Sequence, residues 1–369
     1  MKNKYNDIAL VISSLGSGGA ERVFSIMANY WTKKDMDVTI YTLNNSNSFY
    51  ELDPKVTIKK LDLYKKSPNK LFGIVNNLRR VKKMKKEIIP CQHDVIISCG
   101  TKTNILALIA AMSSKIPVIV SEITYPSRAN IGGELWSILR DIMYFRANKV
   151  VAQTKVGKEC FNESIKKKTV VIPNPVNTEA ANNLNENVLT GTSKTLLAMG
   201  RLGHEKGFDL LIRAFAQIKD KNPDWKLIIW GEGKERKNIE KIISNLKMED
   251  RVMLPGKTKE PLAKMAEADL FVLSSRREGF PNVLCEAMTV GMPVVATDCL
   301  CGPREIITDQ VDGVLIEPEN IEELAESMHE LMNDENKRRY IGENAKESIK
   351  RFEINNVMEM WSEVIEKSS

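Results

Sequence analysis

IALVISSLGSGGAERVFSIMANYWTKK, residues 8–34, sets a strand-length apolar run against a helix-length amphipathic one, with three glycines at the join. A continuous run such as IALVI suits a strand buried on both faces, and glycines after it suit a tight turn into a helix. The pattern recurs. VTIYTL (38–43), VIISC (95–99), VIVSE (118–122) and KVVAQT (149–154) are separated by helix-length segments. After residue 194 the order restarts with TLLAMGRLGHEKGFDLLIRAFAQIKDK (195–221), and KLIIWG, RVMLPG, LFVLSS and PVVATD follow. Strand–helix alternation predicts parallel sheets with helices on both faces, and its recurrence predicts two doubly wound α/β domains. The joint falls in IPNPVNTEAANNLNENVLTGTSK (172–194), which has turn residues and little apolar periodicity. We expect a first domain over 1–175, a second over 190–348, and a terminal segment, 349–369, packing back toward the first. That segment has Val357, Trp361 and Val364/Ile365 on one helical face. Ligands of open α/β sheets lie beyond the carboxyl ends of the strands, so the expected site is a cleft between the two.

Length and composition agree with this division. A chain of 369 residues, 43% apolar and 28% charged, suits two globular domains and excludes disorder, collagen or coiled coil as the main architecture. The longest apolar run, residues 105–112, is eight residues, against about 20 for a membrane-spanning helix. MKNKYNDIALVISSLGSGG has no hydrophobic core ending in a small-residue cleavage site, so no leader is expected. Six scattered cysteines suit reduced thiols in a cytoplasmic protein. Charge is uneven. Up to Pro175, 28 Lys+Arg stand against 14 Asp+Glu, a net +14; beyond it 26 stand against 34, a net −8. Much of the excess lies in a basic amphipathic helix at residues 70–89. Leu71, Ile74/Val75, Leu78, Val81, Met84 and Ile88 recur along one face and Arg79, Arg80, Lys82, Lys83 and Lys86 fill the other. Such a helix suits an anionic membrane surface or a solvated face packed on its own sheet. Nucleic acid is not expected: aromatic residues are 6% and lack the spacing of stacking platforms.

Three motifs carry chemistry. SSLGSGGAER (13–22) places Gly18 and Gly19 where a helix N-terminus can approach an anion, but it fails as a dinucleotide fingerprint because Glu21 takes the third glycine position. GRLGHEKG (200–207) puts Arg201 and Lys206 after a strand, suited to clamping a diphosphate. EGFPNVLCE (278–286) spaces Glu278 and Glu286 across a strand-end loop and the first turns of a helix, with Pro281 placed as a first-turn proline. Asp35-Met36-Asp37 suits a helix-to-strand connection rather than a metal pair, and His93, His204 and His329 are scattered.

Together, GGAER, GRLGHEKG, EGFPNVLCE and GPREII (302–307) resemble the large retaining family 4 of nucleotide-sugar glycosyltransferases, and the resemblance covers essentially the whole chain. It implies the GT-B fold, two Rossmann-like domains facing across a cleft. It further implies that Gly18 and Gly19 lie against the donor phosphates, that Arg201 and Lys206 bind the diphosphate, and that Glu278 holds hydroxyls of the transferred sugar. Backbone from Gly279, Phe280, Pro281, Asn282 and Val283 would surround phosphate and sugar, Glu286 would bind the ribose, and Gly256 and Lys257 would meet the base. Glu122 of SEITYP stands on the acceptor side, where the residue after it, His or Arg in many relatives, is Ile123 here. The implied activity is metal-independent, cofactor-free retaining transfer of a hexose or N-acetylhexosamine from a UDP-sugar (GalNAc, Gal or GlcNAc). The implied acceptor is a polyprenyl-diphosphate-linked or similar glycan of bacterial surface polysaccharide, on the inner face of the cell membrane. A soluble-acceptor sugar synthase and a non-catalytic nucleotide- or sugar-binding protein are the alternatives.

Overall fold

The computed structural model describes residues 5–63, 70–123, 134–182 and 193–368 and divides into two compact units, 1–175 with 354–369 and 176–353. The terminal helix therefore belongs to the first unit, while residues 349–353 stay with the second.

In chain order the first unit contains β1 (Asp7–Ile12), α1 (Gly19–Lys33), β2 (Asp37–Thr42), β3 (Thr57–Lys60), α2 (Lys70–Ile88), β4 (Val95–Cys99), α3 (Thr101–Ala111), β5 (Val118–Glu122), α4 (Glu134–Tyr144), β6 (Lys149–Ala152), α5 (Lys155–Glu159), α6 (Glu163–Lys166) and β7 (Thr169–Val171). All seven strands are parallel, in the order β3-β2-β1-β4-β5-β6-β7. Full burial of Ile8, Leu10, Val95 and Ile97 on one face and of Ala9, Val11, Ile96 and Val120 on the other shows why these strands are apolar without alternation: both sheet faces are covered. β3 is the exception. TIKK is an exposed edge strand, and its polarity hides it from a hydrophobic-pattern search.

The second unit contains α7 (Glu179–Asn182), β8 (Thr195–Met199), α8 (Phe208–Ile218), β9 (Lys226–Trp230), α9 (Arg236–Asn245), β10 (Val252–Gly256), α10 (Pro261–Ala266), β11 (Leu270–Leu273), α11 (Asn282–Thr289), β12 (Val294–Thr297), α12 (Pro303–Ile306), β13 (Val314–Ile316), α13 (Ile321–Asn333) and α14 (Glu335–Ser348). Its six parallel strands run β10-β9-β8-β11-β12-β13. α8 buries Phe208, Leu211, Ile212 and Phe215 at helical spacing. α13 and α14 begin where Asn320 and Asp334 accept hydrogen bonds from the backbone of Glu323 and Lys337.

α15 (Ile354–Glu366) completes the first unit. Val357, Met358, Trp361, Val364 and Ile365 are buried in the same core as Phe24, Met27 and Trp31 of α1, while α2, α3 and α4 contribute to the core on the other sheet face. Where the chain enters and leaves the second unit, the two ends of that segment are tied. Val176 N–H donates to Phe352 O at 2.8 Å, and Thr178 Oγ1 donates to Glu353 Oε1 at 2.8 Å.

α2 forms as expected, but its apolar stripe divides. Met84 and Ile88 are buried, Val81 packs against the core, and Val75 and Leu78 are exposed; the side chains of Leu71 and Ile74 lie outside the described residues. The basic face divides too. Arg80 Nε donates to Leu63 O at 3.1 Å and Lys83 Nζ to Leu61 O, so these two hold the chain after β3, whereas Arg79, Lys82 and Lys86 are exposed. No helix among the described residues is long and apolar enough to cross a membrane.

Trp361→Ala removes a large side chain from the core that α15 closes. We expect a loss of about 3–5 kcal/mol from the first unit in urea unfolding; a loss below about 1 kcal/mol would show that α15 adds little to that core.

Candidate active site

β8 and β11 are neighbours at the point where the strand order of the second sheet reverses, and the loops leaving their carboxyl ends hold Arg201, Lys206 and Glu278. After β8 the chain makes one tight turn, His204–Lys206, and Gly207 starts α8 in the left-handed region at φ +65°. A Cβ at Gly207 would lie 1.9 Å from Ser274 O, so only glycine lets the two loops touch there. Contacts across the loops follow. Ser274 Oγ donates to Lys206 O at 3.1 Å, and Arg276 N–H donates to Glu205 O at 2.9 Å.

The result is an ion pair between residues 72 positions apart. Lys206 Nζ lies 2.6 Å from Glu278 Oε1, which also accepts from Ser275 Oγ at 2.6 Å. The Glu278 side chain is 9% exposed and that of Lys206 20%, so bulk water screens the pair only in part. Arg201 behaves differently. Its guanidinium is exposed and turns to Glu205, four residues on, instead of joining Lys206. Burial works to raise the Glu205 carboxyl, but hydrogen bonds from its own backbone and from Arg201 outweigh it and hold the group below its ordinary range. Both cations expected to clamp a diphosphate thus carry carboxylate partners in this state.

Arg276 is not marked by the sequence, where SRRE looks like a solvated loop. In the structure its guanidinium grips Asp209 through two parallel bonds of 2.7 Å, meets Glu319 at 2.8 Å and donates to His204 O at 2.9 Å. The bonds to Asp209 raise the guanidinium pKa further, and Arg276 in turn holds Asp209 below the usual carboxylate range against the effect of burial. Asp209 in the first turn of α8 is the only local hint, since an acid is favoured there. The fork locks the loop after β8 to the loop after β11.

Gly279 and Phe280 lead into α11, whose first residues are Asn282 and Val283. Pro281 is its N-cap rather than a residue of its first turn. The Phe280 ring packs edge-on against Phe352 at 5.5 Å, so this residue faces the core and only its backbone is available to a ligand. Glu286 is buried in the second turn of α11. Cys299, buried beside Glu278, has its thiol pushed up to about 12 by burial and by that neighbouring charge. Two strands from β8, Gly256 ends β10 and accepts from Gly231 N–H at 2.7 Å, with Lys257 exposed just beyond it. A Cβ on Gly231 would fall 1.8 Å from Gly200 O, so the ends of β8 and β9 approach as closely as bare backbone allows.

In the first unit Gly18 is the N-cap of α1 and Gly19 its first residue, at the carboxyl end of β1, where that sheet also reverses. Glu21 folds back over this turn. It accepts from Ser14 Oγ at 2.6 Å, and a Cβ on Gly18 would lie 2.2 Å from its other oxygen. An anion approaching Gly18 and Gly19 would have to displace that carboxylate. Asp35 and Asp37 lie at the opposite, amino-terminal end of this sheet.

Glu122 ends β5 and is buried. It accepts from Thr101 Oγ1 at 2.9 Å and from the Tyr144 hydroxyl, which in turn accepts from Asn104 Nδ2 at 2.8 Å. In this state Glu122 ties the end of β5 to α3 and α4. Ile123 packs against the core shared with α1 and α15, and residues 124–133 lie outside the described residues. Burial raises the Glu122 carboxyl, opposed by the hydrogen bonds from Tyr144 and Thr101 and by the charge of Arg140. A raised carboxyl costs nothing below the ordinary range, and its cost grows as pH rises toward and through the folded value. Glu122→Gln keeps an acceptor for Tyr144 and Thr101, so its stability relative to the parent should improve as pH rises above the ordinary carboxylate range in urea titrations. A pH-independent difference would contradict the assigned burial cost.

Residues 17–180 match the family described as Glycosyltransferase Family 4, and residues 180–348 match Glycosyl transferases group 1. A Campylobacter jejuni relative, N-acetylgalactosamine-N,N'-diacetylbacillosaminyl-diphospho-undecaprenol 4-alpha-N-acetylgalactosaminyltransferase, is 30% identical over 94% of this chain and 95% of its own. A second from the same organism, a GalNAc-alpha-(1->4)-GalNAc-alpha-(1->3)-diNAcBac-PP-undecaprenol alpha-1,4-N-acetyl-D-galactosaminyltransferase, is 27% identical over 97% and 98%. Among solved structures, Anabaena HepE in complex with UDP and glucose superimposes with a TM-score of 0.84 at 21% identity, covering 98% of this chain and 100% of that one, a likeness of fold. Matched in both halves and aligned nearly end to end with such relatives, the chain belongs to glycosyltransferase family 4 and has its two-domain GT-B fold.

Proposed function

We propose that the protein transfers a hexose or N-acetylhexosamine, with retention and without a metal, from a UDP-sugar to a polyprenyl-diphosphate-linked glycan in bacterial surface polysaccharide synthesis. The observation that carries the reading is the Lys206–Glu278 pair at the β8/β11 reversal, 2.6 Å apart and linked to Ser275. The undecaprenyl-diphosphate acceptors in the names of both Campylobacter jejuni relatives support the acceptor class, and their N-acetylgalactosaminyl transfer favours an N-acetylated donor.

In this reading the donor exchanges one partner for another. Its diphosphate takes Glu278's place on Lys206, and the released carboxylate accepts hydrogen bonds from hydroxyls of the transferred sugar. Arg201, leaving Glu205, and the amides at the start of α11 share the diphosphate charge. The bond from the anomeric carbon to the β-phosphate oxygen breaks as the acceptor hydroxyl oxygen bonds to the same face of that carbon. Its proton passes to a phosphate oxygen, and UDP departs. Stabilising the charge that grows on UDP is the largest contribution asked of the protein, and Lys206, Arg201 and a helix N-terminus are the groups that supply it. Glu286 holds the ribose, Gly256 and Lys257 border the base, and Gly18 and Gly19 reach the donor phosphates once Glu21 moves aside. The protein works at the inner face of the cell membrane, with the exposed cations of α2 toward anionic lipid.

Titration calorimetry with UDP, GDP, ADP and NAD tests the donor class. Micromolar UDP binding, unchanged by EDTA and absent for NAD, is expected; no nucleotide binding would leave a protein without the proposed donor. Lys206→Ala should lower turnover about 10²–10³-fold and weaken UDP binding. Glu278→Gln should lower transfer more than UDP binding, and Glu286→Ala the reverse. Equal losses in both assays for both carboxylates would contradict their roles.

Arg276 positions Lys206 and Glu278 without touching substrate. Arg276→Gln should cut turnover at least about tenfold, and Arg276→Lys should restore only part of it because an ammonium cannot form the two-bond fork. Turnover and KM unchanged in Arg276→Gln would remove it from the site.

A further inference from the structure

We propose that the outward face of α4 docks on an anionic lipid bilayer by inserting its apolar side chains. α4 is apolar on two sides. Its inner side, with Met143 and Tyr144, is buried in the core under the sheet, and Trp136 and Leu139 pack against that core. Its outer side carries Leu135, Ile138 and Ile142, with Phe145 one residue past its end, at spacings of three and four residues, and each is more than half exposed. A helix that only covered a sheet would have polar residues here. Lys168 fixes the end of this stripe. Its ammonium donates to Phe145 O at 2.7 Å and to Ala147 O at 2.8 Å and lies 5.2 Å from the Phe145 ring centre.

Charge complementarity selects the occupant. α2, α3 and α4 pack in one layer on the same sheet face. The outer side of that layer also exposes Arg79, Lys82, Lys85 and Lys86 on α2, and Arg146 lies exposed just past α4. Two described acids beside the stripe are already paired, Asp141 with Arg140 and Glu163 with Lys166. An apolar stripe in a cationic layer suits acyl chains beneath anionic headgroups. It opposes a second copy of this chain, which would bring like charges together. The inference deepens the acceptor half of the proposed function and moves the main contact from the basic face of α2 to the apolar face of α4, with α2 as its electrostatic flank.

The test is co-sedimentation of the full chain with phosphatidylcholine vesicles, with and without phosphatidylglycerol. Binding is expected only with phosphatidylglycerol. Ile138→Ser/Ile142→Ser should weaken it about a hundredfold, about tenfold for each side chain, with thermal unfolding and UDP binding unchanged. Phe145→Trp should give indole emission that shifts to the blue on vesicles and is quenched by brominated lipid. Undiminished binding of the double variant, or no blue shift on bound vesicles, would overturn the proposal. So would concentration-dependent dimerisation without lipid that the double variant abolishes, since a second copy would then own this face. UDP binding and transfer to a water-soluble acceptor analogue report on the transferase reading separately, so either can fail alone.

Discussion

Lys206 and Glu278 meet because β8 and β11, separated in sequence by two strand–helix units, lie side by side in the second sheet. At that reversal the connections on either side lead away in opposite directions, leaving the carboxyl ends of the two strands uncovered. The other features of the site depend on this adjacency: Gly207 against Ser274 O, the Arg276 fork, and the amide-lined entry to α11. A clamp assembled from one continuous loop would need no such fork. One assembled from two loops must register them, and a rigid planar guanidinium with two carboxylates and a carbonyl as partners does so with little freedom left.

The first sheet repeats the arrangement at β1 with different chemistry. Its glycines stand at the same kind of reversal, but the anion already over the turn is the protein's own Glu21. Each unit thus has internal carboxylates in place at its reversal loops. Such partners keep exposed donors satisfied while the site waits, and a ligand gains only the difference between its own bonds and theirs.

Much of this was legible in residue order. The continuous apolar runs of β1, β4, β5 and β8 could only be strands buried on both faces, and the α8 periodicity fixed a helix start near Gly207. What escaped notice was of two kinds. β3 is polar because it is an edge, so the signal that marks a buried strand is absent. Arg276 escaped because loop arginines are usually solvated; only the placement of Asp209 and Glu319, 67 and 43 residues away in sequence, makes this one structural. The pairing of Arg201 with Glu205 was hidden for a related reason. Sequence gives the two cations equal standing, and three-dimensional placement gives them different partners.

Ile354 to Glu366 fill one face of the first unit, while the second unit is a single unbroken segment. This has a consequence for the order of events at the ribosome. Residues 176–353 can close their core as soon as they have emerged, but the first unit, although made earlier, must wait with the core between α1 and its sheet incomplete until α15 arrives. The unit translated first is then the one finished last. During that interval the apolar surface meant for Trp361 and its neighbours is the part of the nascent chain with most need of a chaperone.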